Sequence, residues 1–363
     1  MIKILKRKVL LGVVLSLSLN VINAQDTTKA ITFSGYIETY FLYNFNNPTN
    51  NTQPSFFYSF NRHNEVNLNL GYAKASYNKD KVRGNFALMA GTYPVANLAA
   101  EPEALRHIFE ANVGVKLSAK KNLWLDAGIM PSHIGFESAI GKDCPNLTRS
   151  ILAENSPYYE AGVKVGYTSK NEKWFLSALL LNGWQRIERP DGNTTQAFGT
   201  QVSYKPSSKV TLNSSTFIGN DKPDSVRQMR YFHNFYSILQ LNKKWSTILG
   251  FDVGTEQSAK GSSLMNTWYS PVLIVKYAAT DKLSLAARAE YYKDKKGVII
   301  NTATANGFQT TGYSANLDYA IQPNVFWRIE ARSLQSQDNI FDKRNSNKVA
   351  NATWLAASIS VNF

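Results

Sequence analysis

The sequence predicts an all-β fold, a transmembrane antiparallel β-barrel of about sixteen strands with short turns at one end and long loops at the other. Apolar and polar residues alternate with a period of two through most of the chain after residue 25. Short polar turns alternate with longer, looser connections over the same stretch. The chain also ends on Phe363, the last residue of an alternating segment. Together these features indicate a barrel that crosses a membrane with its strands.

The first 24 residues form a predicted targeting segment. An apolar stretch at 9–19 follows a basic start, and Ala24 offers a small residue just before Gln25. The apolar stretch is shorter than the roughly 20 residues of a membrane-spanning helix, which is typical of a cleaved signal peptide. We therefore expect a signal peptide at 1–24 and one mature barrel domain at 25–363. The basic residues are Lys3, Lys6, Arg7 and Lys8.

Composition excludes several classes of protein. Cys144 is the only cysteine, so an internal disulfide framework and a thiolate zinc site are excluded. The four histidines lack ligand spacing, and we expect neither a metal nor a cofactor. The net charge is +14, but the basic residues are dispersed without a recognition motif, so nucleic acid is not the expected partner. Contacts with phosphates of lipid and lipopolysaccharide explain the charge better.

Alternation assigns the two faces of individual strands. In the second strand Val66, Leu68, Leu70 and Tyr72 are predicted to share the apolar face. In the thirteenth strand Arg288 and Glu290 lie on the polar face, opposite Leu283, Leu285, Ala287 and Tyr291. In the last strand the apolar face carries Leu355, Ala357, Ile359, Val361 and Phe363.

The connections separate a membrane barrel from a soluble β-sandwich, whose strands also have one apolar face. Seven short turns and eight long connections alternate, which gives about sixteen strands with both chain ends on the periplasmic side. The short turns lie near 78–80, 120–122, 170–172, 205–207, 242–244, 281–282 and 322–324. The long connections are 45–60, 94–104, 131–157, 185–195, 219–229, 255–267, 293–307 and 335–350.

Aromatic residues cluster beside the short turns. Amphipathic rings are favoured at a membrane–water interface, so this placement predicts a girdle at the periplasmic rim. The tryptophans that follow a turn are Trp124, Trp174, Trp245 and Trp327. The tyrosines that precede one are Tyr77, Tyr167, Tyr204, Tyr277 and Tyr319.

An ordered set of motifs runs through the chain from residue 128. Its members are Gly128, Gly135-Phe136-Glu137, Asn146, Arg149-Ser150, Pro157-Tyr158, Gly162 and Asn182-Gly183-Trp184. With these motifs the sequence resembles the OmpL-like β-barrel porin family, known mainly from Bacteroidetes and their relatives. The resemblance implies an integral outer-membrane porin for small hydrophilic solutes. The final Phe363 resembles the terminal aromatic that the barrel-assembly machinery reads in outer-membrane proteins.

The longest connection, 131–157, is a candidate constriction loop, by analogy with sixteen-stranded porins whose corresponding loop folds into the lumen. We hypothesise that its carboxylates face an arginine-rich wall of strands twelve to fifteen, creating a transverse field with mild anion preference. In the alternative, Glu290 and Glu330 on that wall simply neutralise the arginines. The candidate residues are Glu137, Asp143 and Arg149 in the loop, and Lys276, Arg288, Arg328 and Arg332 on the wall.

Other functions stay open at this point. An outer-membrane hydrolase would use His133 beside Ser132, or His107 near Glu103 and Glu110, although neither pair has a recognisable motif around it. A structural or adhesive barrel with a closed lumen, and a soluble secreted sandwich, are further alternatives. The transported solute and the presence of a homo-oligomer are not determined by the sequence.

Overall fold

A computed structural model describes residues 30–345 and 348–363, in which sixteen long strands form one closed antiparallel barrel. The predicted fold and strand number are thus confirmed, and the predicted signal peptide lies outside the described residues. The barrel strands are β1 (Ile31–Asn44), β2 (Val66–Lys79), β3 (Val82–Ala90), β4 (Ile108–Lys116), β5 (Asn122–Pro131), β6 (Tyr159–Thr168), β7 (Trp174–Leu181), β8 (Ala197–Ser207), β9 (Val210–Gly219), β10 (Arg230–Gln240), β11 (Trp245–Gln257), β12 (Met265–Ala278), β13 (Leu283–Asp294), β14 (Phe308–Gln322), β15 (Val325–Ser336) and β18 (Asn351–Asn362).

The remaining elements lie in the long connections. β16 and β17 form a separate two-stranded sheet, and the helices α1 and α2 are short. In the described part of the chain, no helix is both long and apolar enough to cross a membrane. The bounds are α1 Thr92–Asn97, α2 Ile151–Glu154, β16 Phe341–Asp342, β17 Lys348–Val349, and 3-10 turns at Glu103–His107, Gly141–Asp143 and Asp224–Val226.

The barrel closes by pairing its first strand with its last. β1 pairs with β18 from Tyr36 opposite Asn362 to Asn44 opposite Trp354. Beyond this ladder, the amide of Gly35 donates to the carbonyl of Phe363 at 2.8 Å, and the reverse bond measures 3.1 Å. Closure leaves no unpaired sheet edge in the hydrocarbon region.

Strand alternation places an apolar face outward and a polar face inward, as predicted for β13 and β18. Leu285 and Ile359, on the outward faces, are 42% and 48% exposed, whereas Arg288 and Glu290 on the inward face of β13 are buried. The wall that carries the predicted arginines therefore faces the lumen.

The predicted faces of β2 are wrong for half of the strand, because a bulge interrupts it. Thr39 lies opposite Leu68, but its neighbour Glu38 lies opposite Leu70, so Asn69 is an extra residue. An extra residue reverses the alternation beyond it. Val66 and Leu68 therefore face outward, while Leu70 and Tyr72 point into the lumen.

A second bulge lies in β4. Ala87 is opposite Glu110 and Leu88 is opposite Ile108, which leaves Phe109 as the extra residue. The ring of Phe109 stacks on the inward ring of Tyr72, with centroids 5.0 Å apart and planes 22° apart. Bulges of this kind re-aim side chains, and these two bring aromatic rings into the lumen.

The aromatic girdle forms on the outer face, with one exception. Trp174 stacks on Tyr204 with centroids 4.1 Å apart, and Trp245 lies 4.6 Å from Tyr277. Trp124 was assigned wrongly, because it lies two residues from the inward-facing Asp126 and so faces the lumen. The guanidinium of Arg83 covers its ring at 4.2 Å and pairs with Asp126 at 2.6 Å.

Candidate functional site

The segment 132–158 between β5 and β6, here called the lumen loop, packs against the inner faces of β13, β14 and β15. Side chains of the barrel wall accept hydrogen bonds from its backbone amides, and the loop is therefore fastened along its length. The contacts are Leu147 N to Asn316 Oδ1 at 2.9 Å, Thr148 N to Glu330 Oε2 at 2.5 Å, and Ile151 N to Glu290 Oε2 at 2.6 Å.

Arg288 is the centre of this contact and is fully buried. Its Nη1 donates to the carbonyl oxygen of Thr148 at 2.6 Å, and its Nη2 donates to Glu330 at 3.0 Å. Its Nε lies 3.3 Å from Glu290, and Glu137 of the lumen loop is 3.9 Å from Nη1. One guanidinium thus joins two wall carboxylates to the loop backbone.

Arg332 repeats this role on β15, in the same register row as Arg288 across β14. It donates to the carbonyl oxygen of Arg149 at 2.7 Å and to Glu290 at 2.5 Å. Its guanidinium also lies over the rings of Phe57 and Trp354, at 4.7 and 5.4 Å from their centroids. Cation–π contacts of this kind stabilise a desolvated guanidinium.

Arg328 fastens the first half of the loop. It forms a two-point contact with Asp318 at 2.6 and 3.0 Å. Its remaining donors reach the carbonyl oxygens of Gly141 at 2.6 Å and Cys144 at 2.8 Å. Asp318 and the loop carbonyls together accept hydrogen bonds from most of the N–H groups of the Arg328 guanidinium.

Arg149 braces the lumen loop from inside. It is fully buried, and its guanidinium donates only to backbone carbonyls of the loop. The acceptors are Ser138 at 2.6 Å, Leu147 at 2.5 Å and Ala139 at 3.2 Å. Arg149 therefore holds the two halves of the loop together rather than facing the solute path.

The other predicted loop residues differ in exposure. Glu137 accepts from the amide of Ser150 at 3.1 Å and from its hydroxyl, and burial raises the pKa of Glu137. Asp143 is half exposed and pairs with Lys142 at 2.6 Å. Cys144 is buried, and burial raises the pKa of its thiol, so this cysteine is poorly reactive.

The wall arginines of this network are offset by carboxylates. Arg288, Arg328 and Arg332 lie within 4.0 Å of Glu137, Glu290, Glu330 or Asp318, and Arg149 donates only to carbonyls of the loop. A buried pair gains little net stability, but removing one partner leaves an uncompensated charge and is strongly destabilising. The geometry matches the alternative in which wall carboxylates neutralise the arginines. The members are Arg149, Arg288, Arg328, Arg332, Glu137, Glu290, Glu330 and Asp318.

The start of the lumen loop is anchored by a buried histidine. Nδ1 of His133 lies 2.6 Å from Glu160, and Nε2 lies 2.9 Å from the carbonyl oxygen of Thr216. Burial lowers the pKa of His133, but the charge and hydrogen bond of Glu160 outweigh it, and the net pKa is raised. Both ring nitrogens face oxygen atoms, as a protonated imidazole requires.

Three lysines face the lumen away from the buried network. Lys116 on β4, Lys164 on β6 and Lys276 on β12 are half-buried, and within the described residues none has a carboxylate oxygen within 4.0 Å. The neighbouring Lys74, by contrast, pairs with Glu110 at 2.8 Å. Of the three, only Lys276 was among the predicted site residues. Alternation along β6 also puts Lys164 on the polar face, between the apolar Val163 and Val165, but Lys116 has no distinguishing signal in the sequence.

A cavity of about 210 Å³ lies between the lumen loop, β3, β4 and the α1 connection. Among the side chains that the structure describes, no group of three His, Cys, Asp or Glu is placed to hold a metal ion. The cavity is lined mainly by apolar and aromatic residues, including Met89, Tyr93, Leu98, Phe109, Ile140, Tyr158 and Tyr159.

Solved structures of outer-membrane barrels are similar in fold. OmpT of Vibrio cholerae has a TM-score of 0.60 and 10% identity, covering 93% of this chain and 99% of that one. An anion-selective porin from Comamonas acidovorans has a TM-score of 0.58 and 8% identity, covering 92% and 99%. The outer-membrane channel DcaP of Acinetobacter baumannii has a TM-score of 0.58 and 9% identity, covering 92% and 97%. At such low identity the likeness shows the fold alone.

The family model gives a more specific result. No curated protein matches this sequence. The model described as "Putative beta-barrel porin-2, OmpL-like" matches residues 30–363, nearly all of the described chain. The closed barrel and this match together place the protein in the outer membrane as an integral component. The chain therefore belongs to the OmpL-like beta-barrel porin-2 family.

Proposed function

We propose that this protein is a porin-type channel through which small hydrophilic solutes diffuse passively. The observation that carries the proposal is that the lumen loop is fastened to β9, β10, β13, β14 and β15, whereas a cavity of about 210 Å³ separates it from β3 and β4. A barrel of about sixteen strands is wide enough for an aqueous channel, so a loop fastened to those strands leaves room on the side of β3 and β4. Arg83 faces that side and is 37% exposed, as expected for a wall that water reaches.

A mild anion preference is part of the proposal, but we assign it to lysines rather than to the buried arginines. The arginines of the network are buried and offset by carboxylates, so they add little field to the passage. Lys116, Lys164 and Lys276 keep a positive charge at half-exposed inward positions, and among the described residues none of them has a carboxylate oxygen within 4.0 Å. Charged side chains around a passage are how pores discriminate between ions.

Replacing Lys116, Lys164 and Lys276 together by glutamine should shift ion preference towards cations. A unit charge about 10 Å from a passing ion contributes roughly 0.4 kcal/mol in water, less with salt screening, so we expect about a threefold change in the permeability ratio. Reversal potentials across a salt gradient in planar bilayers measure this ratio. Glutamine at the exposed turn positions Lys121, Lys170 and Lys243 is the matched control. An unchanged ratio in the lumen variant contradicts the assignment.

The hydrolase alternative has weaker support. Both ring nitrogens of His133 are engaged, and Ser132 Oγ accepts from the amide of Ile134 at 3.1 Å. His107 Nδ1 lies 3.3 Å from the carbonyl oxygen of Met89. Neither histidine is hydrogen-bonded to a nucleophile, and this favours a channel without enzymatic activity.

The proposed partners follow from the surfaces of the barrel. The outward apolar faces suit outer-membrane lipid, and exposed basic residues such as Lys260 and Lys296 in the long connections suit lipopolysaccharide phosphates. Phe363 at the end of β18 is 68% exposed, which leaves its ring accessible to the barrel-assembly machinery.

We also propose a homo-oligomer that forms through the outer face of β8, β9 and β10. A polar row crosses this face, with Thr200 opposite Thr216 and Thr216 opposite His233. His233 is exposed and reaches Ser214 at 2.8 Å. Polar side chains are costly against lipid, and a second copy would cover them. A solved OmpT structure is described as a trimer form, with a TM-score of 0.59, 10% identity, and coverage of 92% of this chain and 99% of that one.

The variant His233→Leu with Thr216→Val should weaken this association. Light scattering in mild detergent is expected to give a multiple of the monomer mass for the unmodified protein and a larger monomer fraction for the variant. Thr39→Val, an outward change on β1, is the control and should leave the mass unchanged. A monomeric unmodified protein would contradict the proposed oligomer, as would a variant that keeps its full mass.

A further inference from the structure

One wall of the cavity beside the lumen loop is the ring of Phe109, which stacks on Tyr72 outside the lining. The bulge at Asn69 directs Tyr72 into the lumen, and the bulge at Phe109 brings its ring onto Tyr72. Tyr36 on β1 extends the row, with its ring 6.0 Å from Tyr72. Each bulge costs ladder hydrogen bonds, and such irregularities are concentrated next to functional sites.

The opposite side of the cavity supplies more rings. Tyr93 of α1 and Tyr158 at the end of the lumen loop meet edge to face, with centroids 5.7 Å apart. Both line the cavity together with Phe109. The flat face of a small ring can therefore meet aromatic surface on either side of this space.

The three carboxylates that line the cavity, Glu110, Glu137 and Asp143, already have partners. Glu137 accepts from the amide of Ser150 and lies 3.9 Å from Arg288. Glu110 accepts from Lys74 at 2.8 and 2.9 Å, and Asp143 pairs with Lys142. The site thus offers carboxylate oxygens whose charge is already offset, which favours a neutral ligand with hydroxyl groups over an ion.

We propose that this cavity is a binding site for one ring of a neutral saccharide on its way through the pore, an inference that rests on the proposed channel function. The apolar face of a pyranose ring would lie against Phe109 and its neighbours. Its hydroxyls would bond to the carboxylates of Glu110 and Asp143. The volume of about 210 Å³ lies below the roughly 300–1,000 Å³ of drug-sized sites, consistent with a single ring.

The test combines equilibrium binding with channel recording on the purified full barrel. Calorimetry in detergent measures affinity for glucose, for the acyclic polyol sorbitol and for choline. We expect glucose to bind and sorbitol to bind at least about fivefold more weakly, because sorbitol lacks the rigid ring face. In planar bilayers, glucose should produce brief interruptions of the current.

Two variants locate the site. Phe109→Leu and Tyr158→Leu each keep an apolar side chain but remove the aromatic face on one side of the cavity. Both should weaken glucose binding by about fivefold or more while the channel continues to conduct. Phe175→Leu, an inward aromatic position on β7 outside the cavity lining, is the matched control and should bind glucose normally.

The outcomes separate the site from the channel. Conduction without glucose binding overturns the saccharide site and leaves the porin proposal intact. Glucose binding without conduction supports the site and overturns the channel. Stronger binding of choline than of glucose overturns the saccharide assignment in favour of an organic cation. An equal loss in Phe175→Leu also overturns it.

Discussion

Replacing Arg288 by methionine is expected to release the lumen loop and to produce larger, noisier single-channel currents. The guanidinium of Arg288 holds Glu330, Glu290 and the carbonyl of Thr148, and methionine keeps an unbranched apolar stem without the guanidinium. Breaking a buried ion pair from one side should lower the free energy of unfolding by about 3–5 kcal/mol. Denaturant unfolding and planar-bilayer recording measure the two effects.

The matched control is Arg83→Met, which removes another inward ion pair but does not touch the lumen loop. It should leave the conductance close to that of the unmodified protein. If Arg288→Met fails to fold, adding Glu330→Gln removes the carboxylate left without a partner and restores part of the stability. A folded variant with unchanged conductance would show that the arginine network does not hold the loop in the passage.

Replacing Gly128 by alanine is expected to prevent most of the protein from folding into a barrel. Gly128 has a φ of 124°, and a Cβ there would run into the carbonyl oxygen of Ala111 on β4. The opposite residue in β6, Gly162, is equally confined, since its Cβ would meet the carbonyl oxygen of Leu180 on β7. The two glycines lie on the strands that flank the lumen loop. The substitution combines backbone strain of about 1–3 kcal/mol with loss of ladder hydrogen bonds.

Heat-modifiable gel mobility measures the folded fraction for this variant. Gly71→Ala on β2 is the control, because a Cβ there meets only the side chain of Leu68 at 3.6 Å and a carbonyl oxygen at 3.8 Å. We expect Gly71→Ala to fold normally and Gly128→Ala to remain largely unfolded. Equal folded fractions for the two variants would contradict the close packing inferred at Gly128.

Much of the barrel follows from local pattern alone. The period-two alternation of β13 placed Arg288 and Glu290 inward and Leu285 outward, because successive side chains of a strand point to opposite faces. Alternation of short and long connections gave the strand number. These features depend on neighbours in sequence, so they are readable without the fold.

The wrong predictions concern side chains whose face is determined by contacts between residues distant in sequence. Nothing in the residues around Asn69 marks it as a bulge, and one extra residue was enough to turn Leu70 and Tyr72 from lipid to lumen. Trp124 has the composition and position of a girdle residue, but its register with Asp126 places it inside. Local sequence does not show where the pairing of neighbouring strands shifts by one residue, and such a shift decides which face each side chain takes.

The sequence predicts the candidate site only in part, because contacts between distant residues also determine its geometry. Loop length and charge identified the segment 131–157 and its opposing arginines as a unit. The sequence pattern does not show whether the arginines face water or the loop backbone. That depends on contacts between distant residues, such as the hydrogen bond of 2.6 Å from Arg288 to the Thr148 carbonyl. The half-exposed Lys116 and Lys164 became candidates only when their lack of a carboxylate partner was visible.

The most direct test of this account is single-channel recording of the purified mature protein in planar lipid bilayers. A water-filled passage beside a fastened lumen loop predicts stable, stepwise openings of uniform size, and Arg288→Met should enlarge them. Protein that is folded by its heat-modifiable mobility and inserted in the bilayer, yet gives no openings, would contradict the account and favour a display barrel with a closed lumen.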